Sequence, residues 1–278
     1  MGAVSSRYVV NCSILLTDLP LLQRPCAARA AGFEAVEFWW PFPDPVPGDR
    51  EVDAFVRAVT DAGVRLTALN FEGGDLAAGE RGIVSHPDRQ SAFRDNVDVA
   101  MGIADRLGTK AFNALYGNRL PGVAAQHQDD VAVENLAYAA RKAQQIGAVI
   151  LVEPLSGVAS HPIRTAADAI GVIDRVREQT GAGALRLLAD LYHLAVNGED
   201  LAAVIDEHND RIGHVQIADA PGRGAPGTGT LDFPALLTRL GERGYRGHVS
   251  LEYRADQSVA GSDPFAWLPP SQRLDPWA

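Results

Sequence analysis

The stretch VILVEPLSGVASHPIRTAADAIGVIDRVREQTGAGALRLLAD, residues 149–190, decides the fold. It opens with a short apolar run that ends at Glu153 and closes with a second apolar run that ends at Asp190. A longer segment with a helical pattern lies between them. Both runs are nearly continuous in Val, Ile and Leu, as is typical of parallel strands covered by helices. The stretch therefore predicts one β–α–β unit.

The same alternation of strand and helix repeats along the whole chain. The predicted strands cover residues 8–12, 35–39, 64–69, 110–113, 149–153, 185–190, 212–217 and 249–253. The predicted helices cover residues 19–31, 51–62, 89–107, 129–146, 166–179, 201–208 and 233–243. Several of these helices are followed by a glycine that can form a left-handed cap, such as Gly63 and Gly108. Repeated β–α alternation predicts either a doubly wound sheet or a closed barrel.

A closed (β/α)8 barrel, the TIM barrel of the α/β class, is the predicted fold. No GxGxxG motif follows the first strand, and polar residues end many different strands, as they do at the mouth of a barrel. No segment resembles an interdomain linker, and a barrel of about 250 residues is one domain. We therefore predict a single barrel domain over residues 1–268 and a Pro-rich C-terminal tail over residues 269–278.

The composition restricts the class of partner. The chain has 35 acidic and 25 basic residues, a net charge of -10, and no Lys/Arg cluster of the kind that nucleic-acid binders carry. No stretch approaches the about 20 apolar residues of a transmembrane helix, and the first apolar run is too short for a signal peptide. Two cysteines without a CxxC motif fit a reducing compartment. We expect a cytoplasmic protein that binds a small molecule, and neither nucleic acid nor membrane.

Four consecutive predicted strands end in a residue with a side-chain oxygen: Glu153, Asp190, Gln216 and Glu252. They are 37, 26 and 36 residues apart, about one βα repeat each, so their side chains should converge on one side of the barrel mouth. This all-oxygen set suits a hard divalent ion, Mg²⁺ or Mn²⁺, with Co²⁺ as an alternative. The other interpretation is that each polar residue only marks where its strand meets solvent. Four such strands in succession favour the metal site.

The segments around these residues resemble the hydroxypyruvate isomerase family of xylose isomerase-like TIM barrels. They are LVEPL (151–155), ADLYH (189–193), HVQIADAPGRGAPGTG (214–229) and LEYR (251–254). The similarity runs from VEFWWPF (36–42) through GDLAAGERG (74–82) to FAWL (265–268). The resemblance implies an isomerase that interconverts a small 2-oxo or hydroxy acid and its semialdehyde, such as hydroxypyruvate and tartronate semialdehyde, or 2-oxo-tetronate. It also implies a homodimer or homotetramer.

The resemblance further implies that Glu153, Asp190, Gln216 and Glu252 bind the metal and that Glu153 and Glu252 are the catalytic pair. The chemistry agrees with this assignment. Moving a carbonyl between adjacent carbons requires a proton to leave one carbon and reach the next through an enediolate, work that two carboxylates can share. A Lewis acid stabilises the charge of the enediolate. Ketose 3-epimerases carry His where this chain has Gln216, which favours the hydroxypyruvate branch.

Five further residues are candidate substrate contacts: His193, Arg223, Arg81, Asn70 and Asn113. His193 could hydrogen-bond a substrate oxygen, and Arg223 could pair with a substrate carboxylate. Arg81 belongs to a Gly-rich loop, 71–88, that could close over the mouth as a lid. A structural role is the alternative for each: local capping for the His, a solvent or loop contact for the arginines, and turn formation for the asparagines.

Two other functions stay open at this point. One is a ketose 3-epimerase or another carbohydrate isomerase on the same scaffold, and the other is a non-catalytic barrel that binds a sugar acid. A zinc phosphodiesterase acting on DNA would need several His ligands and a basic groove, which this chain does not supply. Four histidines show no ligand spacing and are interpreted as structural: His86, His127, His208 and His214. The family typically carries Asn where this chain has Ser156, so the substrate itself stays open.

Overall fold

Eight parallel strands close into a barrel in chain order in the computed structural model, which describes residues 8–255 and 263–273. The strands are β1 (Tyr8–Asn11), β2 (Ala35–Phe38), β3 (Arg65–Asn70), β4 (Ala111–Asn113), β5 (Val149–Val152), β6 (Leu185–Asp190), β7 (Ile212–Ile217) and β8 (Val249–Leu251). Strand β1 pairs with both β2 and β8, which closes the ring. The predicted single-domain (β/α)8 barrel is confirmed, and each predicted strand boundary agrees to within two residues.

Helices surround the barrel. They are α1 (Arg24–Ala30), α2 (Asp49–Ala62), α3 (Gln90–Leu107), α4 (Ala125–Gln145), α5 (Ala166–Thr180), α6 (Leu191–Val196), α7 (Leu201–His208), α8 (Phe233–Glu242) and α9 (Pro270–Arg273). The first helix begins at Arg24 rather than at residue 19, because Pro25 fits only the first turn of a helix. The helix that follows β4 begins four residues earlier than predicted, and α6 and α9 are absent from the sequence prediction.

The helix ends follow local chemistry. Thr165 and Asp168 form a capping box at the start of α5, in which Thr165 Oγ1 accepts the Asp168 N–H at 3.0 Å. Gly63 and Gly108 end α2 and α3 in the left-handed conformation, as predicted. These caps fix the length of each helix and so the place where the chain re-enters the barrel.

The apolar core fills the layer between strands and helices. Phe38 of β2 packs edge-on against Phe55 of α2, with ring centroids 5.2 Å apart. Phe71, which follows β3, stacks on Phe112 of β4 and meets Phe93 of α3. Burial of each such ring stabilises the fold by about 1.5–3 kcal/mol. This layer holds the strands in register and leaves the inside of the barrel free for polar side chains.

The inside of the barrel is polar towards the carboxyl ends of the strands. Gln216 of β7 donates from Nε2 to Oε1 of Glu37 of β2 at 2.8 Å. Strands β8 and β1 lie between β7 and β2 in the ring, so this contact crosses the interior. Charged and amide groups therefore meet just below the mouth of the barrel, although the strands that carry them are apart in the sheet.

The loop over residues 71–88 is tied to the loop that follows β4. The backbone N–H of Gly82 donates to the Gly73 carbonyl at 2.7 Å, and the N–H of Gly117 donates to the Arg81 carbonyl at 2.9 Å. Gly82 has a φ of +107°, and a Cβ on it would lie 1.9 Å from the carbonyl oxygen of Leu115. Close backbone packing at Gly82 thus fixes the position of its neighbour Arg81.

Residues 263–273 return the chain to the barrel. The buried Arg273 of α9 donates to the carbonyl of Ala31, the residue that directly follows α1, at 3.1 Å. The part of the predicted C-terminal tail from residue 274 to residue 278 lies outside the described residues. Across the described ranges, none of the helices has the length and apolar character needed to cross a membrane.

A pair of glycine substitutions tests the anchoring of this loop. Gly79→Ala places a side chain at a φ of +94° with nothing within 4 Å, so it should cost about 1–2 kcal/mol of stability. Gly82→Ala meets the same backbone penalty and in addition collides with Leu115. We expect Gly82→Ala to lower the free energy of unfolding clearly more than Gly79→Ala, as measured by chemical denaturation. Equal losses for the two variants would contradict the close approach of the two loops.

Candidate active site

A cavity of about 640 Å³ opens at the carboxyl ends of the strands. Its lining includes most of the side chains that the sequence singled out, namely Glu153, Glu252, His193, Arg223, Arg81 and Asn70. Asp190 and Gln216 are buried beside it and contact residues of this lining. The structure therefore brings the predicted residues to one end of the barrel, as the strand pattern requires.

The four predicted metal ligands form two linked groups. Glu153, Asp190 and His193 each present a ligand atom within 4.8 Å of the others. Gln216 Nε2 lies 3.2 Å from Glu252 Oε1, which forms the second group.

Arg223 connects the two groups. Its Nη2 lies 2.5 Å from Glu252 Oε2 and 3.9 Å from Asp190 Oδ2. A positive charge thus already stands between carboxylates from two of the four strands. The same position suits a cation.

Asp190 is oriented by the helix that follows it. Its Oδ1 caps α6 by accepting the backbone N–H groups of Tyr192 at 2.8 Å and His193 at 3.3 Å. Its Oδ2 is buried and has no hydrogen-bond donor within residues 8–255 and 263–273. A buried carboxylate oxygen without a hydrogen bond is costly, and the ion pair with Arg223 at 3.9 Å is too long to supply one, so this atom can accept a cation or a donor. The cap explains why α6 begins directly at the end of β6.

Glu252 is held by three donors on one oxygen. Its Oε1 accepts hydrogen bonds from Trp39 Nε1 at 2.7 Å, Asn11 Nδ2 at 3.0 Å and Gln216 Nε2 at 3.2 Å. The amide oxygen of Gln216 is buried and, in the part of the chain that the structure describes, meets no donor. Gln216 therefore has its nitrogen committed and its oxygen available.

Burial raises the pKa of each of the three acids, and the charges of neighbouring acids add to this at Glu153 and Glu252. Burial, followed by the charges of Glu252 and Asp190, raises the pKa of Glu153 well above its ordinary value. Burial raises the pKa of Glu252 to about 7, although the nearby Arg223 opposes the shift. Burial also raises the pKa of Asp190, again against Arg223. Among the described residues, Arg223 is the cation that pairs with this cluster of three buried acids, and the remaining negative charge fits a divalent ion.

The chemical type of the side chains also fits a divalent ion. Carboxylate and amide oxygens are the ligands that Mg²⁺ and Mn²⁺ prefer. Two of the oxygens in question, Asp190 Oδ2 and Gln216 Oε1, are buried and lack donors among the described residues. The residues present therefore fit a hard divalent cation.

His193 presents a hydrogen to the cavity. Its Nδ1 accepts the backbone N–H of Ser156 at 3.1 Å and lies 2.7 Å from the Ser156 hydroxyl. Burial, together with the charges of Arg223 and Arg81, lowers the pKa of His193 to about 3, so the ring is neutral at pH 7. Because Nδ1 is an acceptor, the proton of the neutral ring is on Nε2, which lies 3.6 Å from Asp190 Oδ2. A nitrogen that carries a proton is a donor, not a metal ligand.

A buried aspartate shapes the loop that carries Arg223. The Asp219 carboxylate accepts the backbone N–H groups of Ala220, Gly227, Gly229 and Leu231. Arg223 itself has a φ of +60°, a left-handed conformation that is uncommon outside glycine. Its guanidinium lies over the ring of Tyr192 at 5.5 Å from the centroid. This explains the dense Gly and Pro pattern of residues 219–229.

Of the other predicted substrate contacts, Arg81 and Asn70 line the cavity, whereas Asn113 holds a carboxylate that lines it. Arg81 lines the cavity, and its Nη1 donates to the backbone carbonyls of Leu76 and Glu80 at 3.0 and 2.6 Å. Asn70 also lines the cavity. Asn113 donates from Nδ2 to Glu153 Oε2 at 2.7 Å, so it orients a carboxylate. The sequence does not distinguish an asparagine that lines the cavity, such as Asn70, from one that orients a carboxylate, such as Asn113.

Sequence reasoning missed Asn11 and Glu37, and it did not assign Trp39 to the site. Asn11 ends β1, as the predicted ligands end their strands, and this position was its signal. Glu37 is a single carboxylate inside the apolar run of β2, and such a residue is rarely buried without a partner. All three side chains belong to the first two strands or the loop after them, outside the quartet on which the prediction concentrated.

Comparisons with known proteins give a consistent result. The family model described as a xylose isomerase-like TIM barrel matches residues 26–274. A putative hydroxypyruvate isomerase of Streptomyces coelicolor is 53% identical over 98% of this chain and 99% of its own length. Hydroxypyruvate isomerase of Escherichia coli is 31% identical over 95% of this chain and 98% of its own length.

Among solved structures, one described as an AP endonuclease, family 2, from Brucella melitensis superimposes with a TM-score of 0.82. It is 33% identical and the match covers 94% of this chain and 97% of that one. The barrel is thus shared over almost the whole length of both proteins.

The charge cluster predicts an unusual effect of pH on stability. In chelator-treated protein the raised pKa of Glu153 means that the folded state keeps a proton that the unfolded state releases near pH 4.5. Stability is therefore lost as pH rises through this window, by about 1.4 kcal/mol per pH unit, and the loss stops above the folded pKa. Glu153→Gln removes this titration, so it should be more stable than the unsubstituted protein at pH 8 and gain little at pH 4.

Denaturant midpoints at pH 4, 6 and 8 in the presence of chelator measure this difference. Glu178→Gln, which alters an exposed glutamate of α5, is the matched control and should show no such trend. A Glu153→Gln protein that is less stable at pH 8 than at pH 4, relative to the unsubstituted chain, would contradict the account of the charge cluster.

Proposed function

The chain belongs to the hydroxypyruvate isomerase family of xylose isomerase-like TIM barrels, and from this premise we propose that it is a metal-dependent isomerase of a short 2-oxo acid. One observation carries the proposal. Glu153, Glu252 and Arg81 line one cavity, and the buried Asp190 and Gln216, whose amide oxygen meets no donor among the described residues, lie beside it. The carboxylates and the amide oxygen suit a cation, and the arginine suits an anionic substrate.

Glu153, Asp190, Gln216 and Glu252 would hold the cation, Mg²⁺, Mn²⁺ or Co²⁺. When bound, such an ion supplies Lewis-acid stabilisation for the negative charge that develops on adjacent substrate oxygens. Asp190 Oδ2 and Gln216 Oε1, which accept no hydrogen bond within the described ranges, support this ligand set. His193 lies close enough to be considered as a further ligand, but its Nε2 carries the ring proton, so we assign it a different role.

Glu153 and Glu252 would move the proton. In hydroxypyruvate a proton leaves C3 to give an enediolate, the C3 hydroxyl gives up its proton and the C2 oxygen gains one. A proton then arrives at C2, which leaves C3 as the aldehyde and C2 as the hydroxyl carbon of the semialdehyde. The two carboxylates come from β5 and β8 and line the same cavity, so one can take the proton and the other can deliver it. Asn113 orients Glu153, and Asn11 and Trp39 orient Glu252.

His193 and Arg81 would bind the substrate. The Nε2–H of His193 is available to a hydroxyl or carbonyl oxygen of the reacting pair. Arg223 is already engaged by Glu252, so the substrate carboxylate is better matched to Arg81, whose Nη1 is anchored by two backbone carbonyls. An anchored guanidinium can still pair with a carboxylate through its remaining N–H groups. This arrangement favours an acid over a neutral sugar.

The other candidate functions make different demands. A ketose 3-epimerase or other carbohydrate isomerase would turn over neutral ketoses and would not depend on Arg81. A barrel that only binds a sugar acid would not need Glu153 and Glu252 as a pair. Action on DNA is disfavoured by the net charge of -10, because a phosphate backbone requires basic contacts.

The direct test follows isomerisation of hydroxypyruvate, 2-oxo-tetronate and free ketohexoses by protein that has been stripped with chelator and reloaded with Mg²⁺, Mn²⁺ or Co²⁺. We expect activity on at least one of the acids, loss of activity on stripping, and recovery with metal. Glu252→Gln and Glu153→Gln should each lower kcat by about 10²–10⁴, the usual contribution of a general acid or base. Turnover of ketohexoses alone would favour the epimerase, and absence of turnover with every metal would refute the isomerase.

A second prediction concerns the substrate carboxylate. Arg81→Met should raise KM for the 2-oxo acid by roughly tenfold to a hundredfold, since a charge-assisted hydrogen bond is worth about 1.5–3 kcal/mol. Arg89→Met, in the same part of the chain and paired with Glu80, is the control and should leave KM near the unsubstituted value. Steady-state kinetics separate the two, and an unchanged KM in Arg81→Met would remove Arg81 from the binding site.

A further inference from the structure

A buried carboxylate without an assigned role lies below the cavity. Glu37 of β2 is 2% exposed and accepts three hydrogen bonds. They come from His214 Nε2 at 2.7 Å, Asn11 Nδ2 at 2.8 Å and Gln216 Nε2 at 2.8 Å. A barrel interior gains no stability from a buried charge that apolar packing could replace. The complete set of partners around Glu37 therefore points to a function beyond folding.

The contacts of Gln216 fix which end of its amide points where. Its nitrogen faces two oxygens, Glu37 Oε1 at 2.8 Å and Glu252 Oε1 at 3.2 Å. Ionised carboxylates only accept hydrogen bonds, so the amide group at this position must be the NH₂. The oxygen is then directed away from both carboxylates.

Of the two hydrogen bonds that Gln216 Nε2 donates, the one to Glu37 is the shorter. Glu37 on β2 is itself held in place by a side chain of β7. His214 stands two residues before Gln216 on the same strand and binds the other oxygen of Glu37. Without Glu37, the NH₂ of Gln216 would keep only its longer contact to Glu252. The two ends of an amide have nearly the same size, so little else would prevent the side chain from turning over.

We propose that Glu37 is a positioning residue that holds the Gln216 side chain with its oxygen turned towards the cation site. This inference rests on the proposed function, because it gives the Gln216 oxygen a cation to bind. Groups that orient metal ligands typically contribute tenfold to a hundredfold in metal affinity. His214 and Asn11 serve the same end by fixing Glu37.

Binding of Mn²⁺ alone, followed by electron paramagnetic resonance, tests the proposal without any turnover. Glu37→Met keeps the length of the side chain and removes both acceptors, so it should weaken Mn²⁺ binding by roughly tenfold to a hundredfold. Glu37→Gln keeps the length of the side chain and one oxygen that can accept from both Gln216 and Asn11. It should therefore bind Mn²⁺ more tightly than Glu37→Met, and equal losses in the two variants would overturn the proposal.

A double substitution tests whether the effect runs through Gln216. In a Gln216→Met background there is no amide left to orient, so adding Glu37→Met should change Mn²⁺ affinity little. When one residue acts through another, the free-energy effects of the two substitutions are smaller together than their sum, whereas the effects of independent substitutions add. Additive losses would mean that Glu37 acts by its charge or by general packing, and the proposal would fail.

Stability is measured in parallel to separate positioning from folding. Asn135 of α4 is also fully buried and hydrogen-bonded, to Arg94 and the Val84 carbonyl, and it is not part of the cavity lining. Asn135→Leu should lower the melting temperature and leave Mn²⁺ affinity unchanged. A Glu37→Met protein that behaves in the same way would refute the positioning role. Absence of Mn²⁺ binding by the unsubstituted protein would instead refute the metal site, and the role of Glu37 with it.

Discussion

Repulsion among Glu153, Asp190 and Glu252 is the constraint on which the rest of this structure depends. The three carboxylates are buried at one end of the barrel, where burial raises the pKa of each and the charges of neighbouring acids add to the effect at Glu153 and Glu252. Among the described residues, Arg223 supplies the positive charge that pairs with Asp190 and Glu252. Such a cluster costs stability unless a cation offsets it. The fold tolerates the cluster because strand pairing and the helical layer fix the strand ends independently of these side chains.

Hydrogen bonds inside the barrel determine which carboxylate oxygens of this cluster remain available to a ligand. Asn11, Trp39 and Gln216 together satisfy one oxygen of Glu252, while the cap of α6 satisfies one oxygen of Asp190. The other oxygen of Glu252 is held by Arg223, whereas the other oxygen of Asp190 has no hydrogen-bond donor among the described residues. Hydrogen bonding thus decides which atoms remain for a ligand, and this selection is finer than the placement of residues at strand ends.

Much of this arrangement could be predicted from sequence, and the limits have physical causes. Apolar runs that end in Glu153, Asp190, Gln216 and Glu252 predict both the barrel and the convergence of these residues, because strand order fixes where strand ends meet. The contact between Glu37 and Gln216 could not be predicted in this way. It crosses the barrel between strands that are not neighbours, so no spacing along the chain records it.

The contact between Arg223 and Glu252 could not be predicted from the sequence either. A loop arginine in a Gly-rich segment suits a substrate carboxylate. The structure instead folds this loop around Asp219 through four hydrogen bonds and pairs Arg223 with Glu252.

One measurement tests the central claim most directly: the anomalous scattering of Mn²⁺ in crystals of the protein. The account predicts one ion at the barrel mouth, coordinated by oxygens of Glu153, Asp190, Gln216 and Glu252. An ion bound through His193 without Gln216 and Glu252, or no ion at this position, would contradict it.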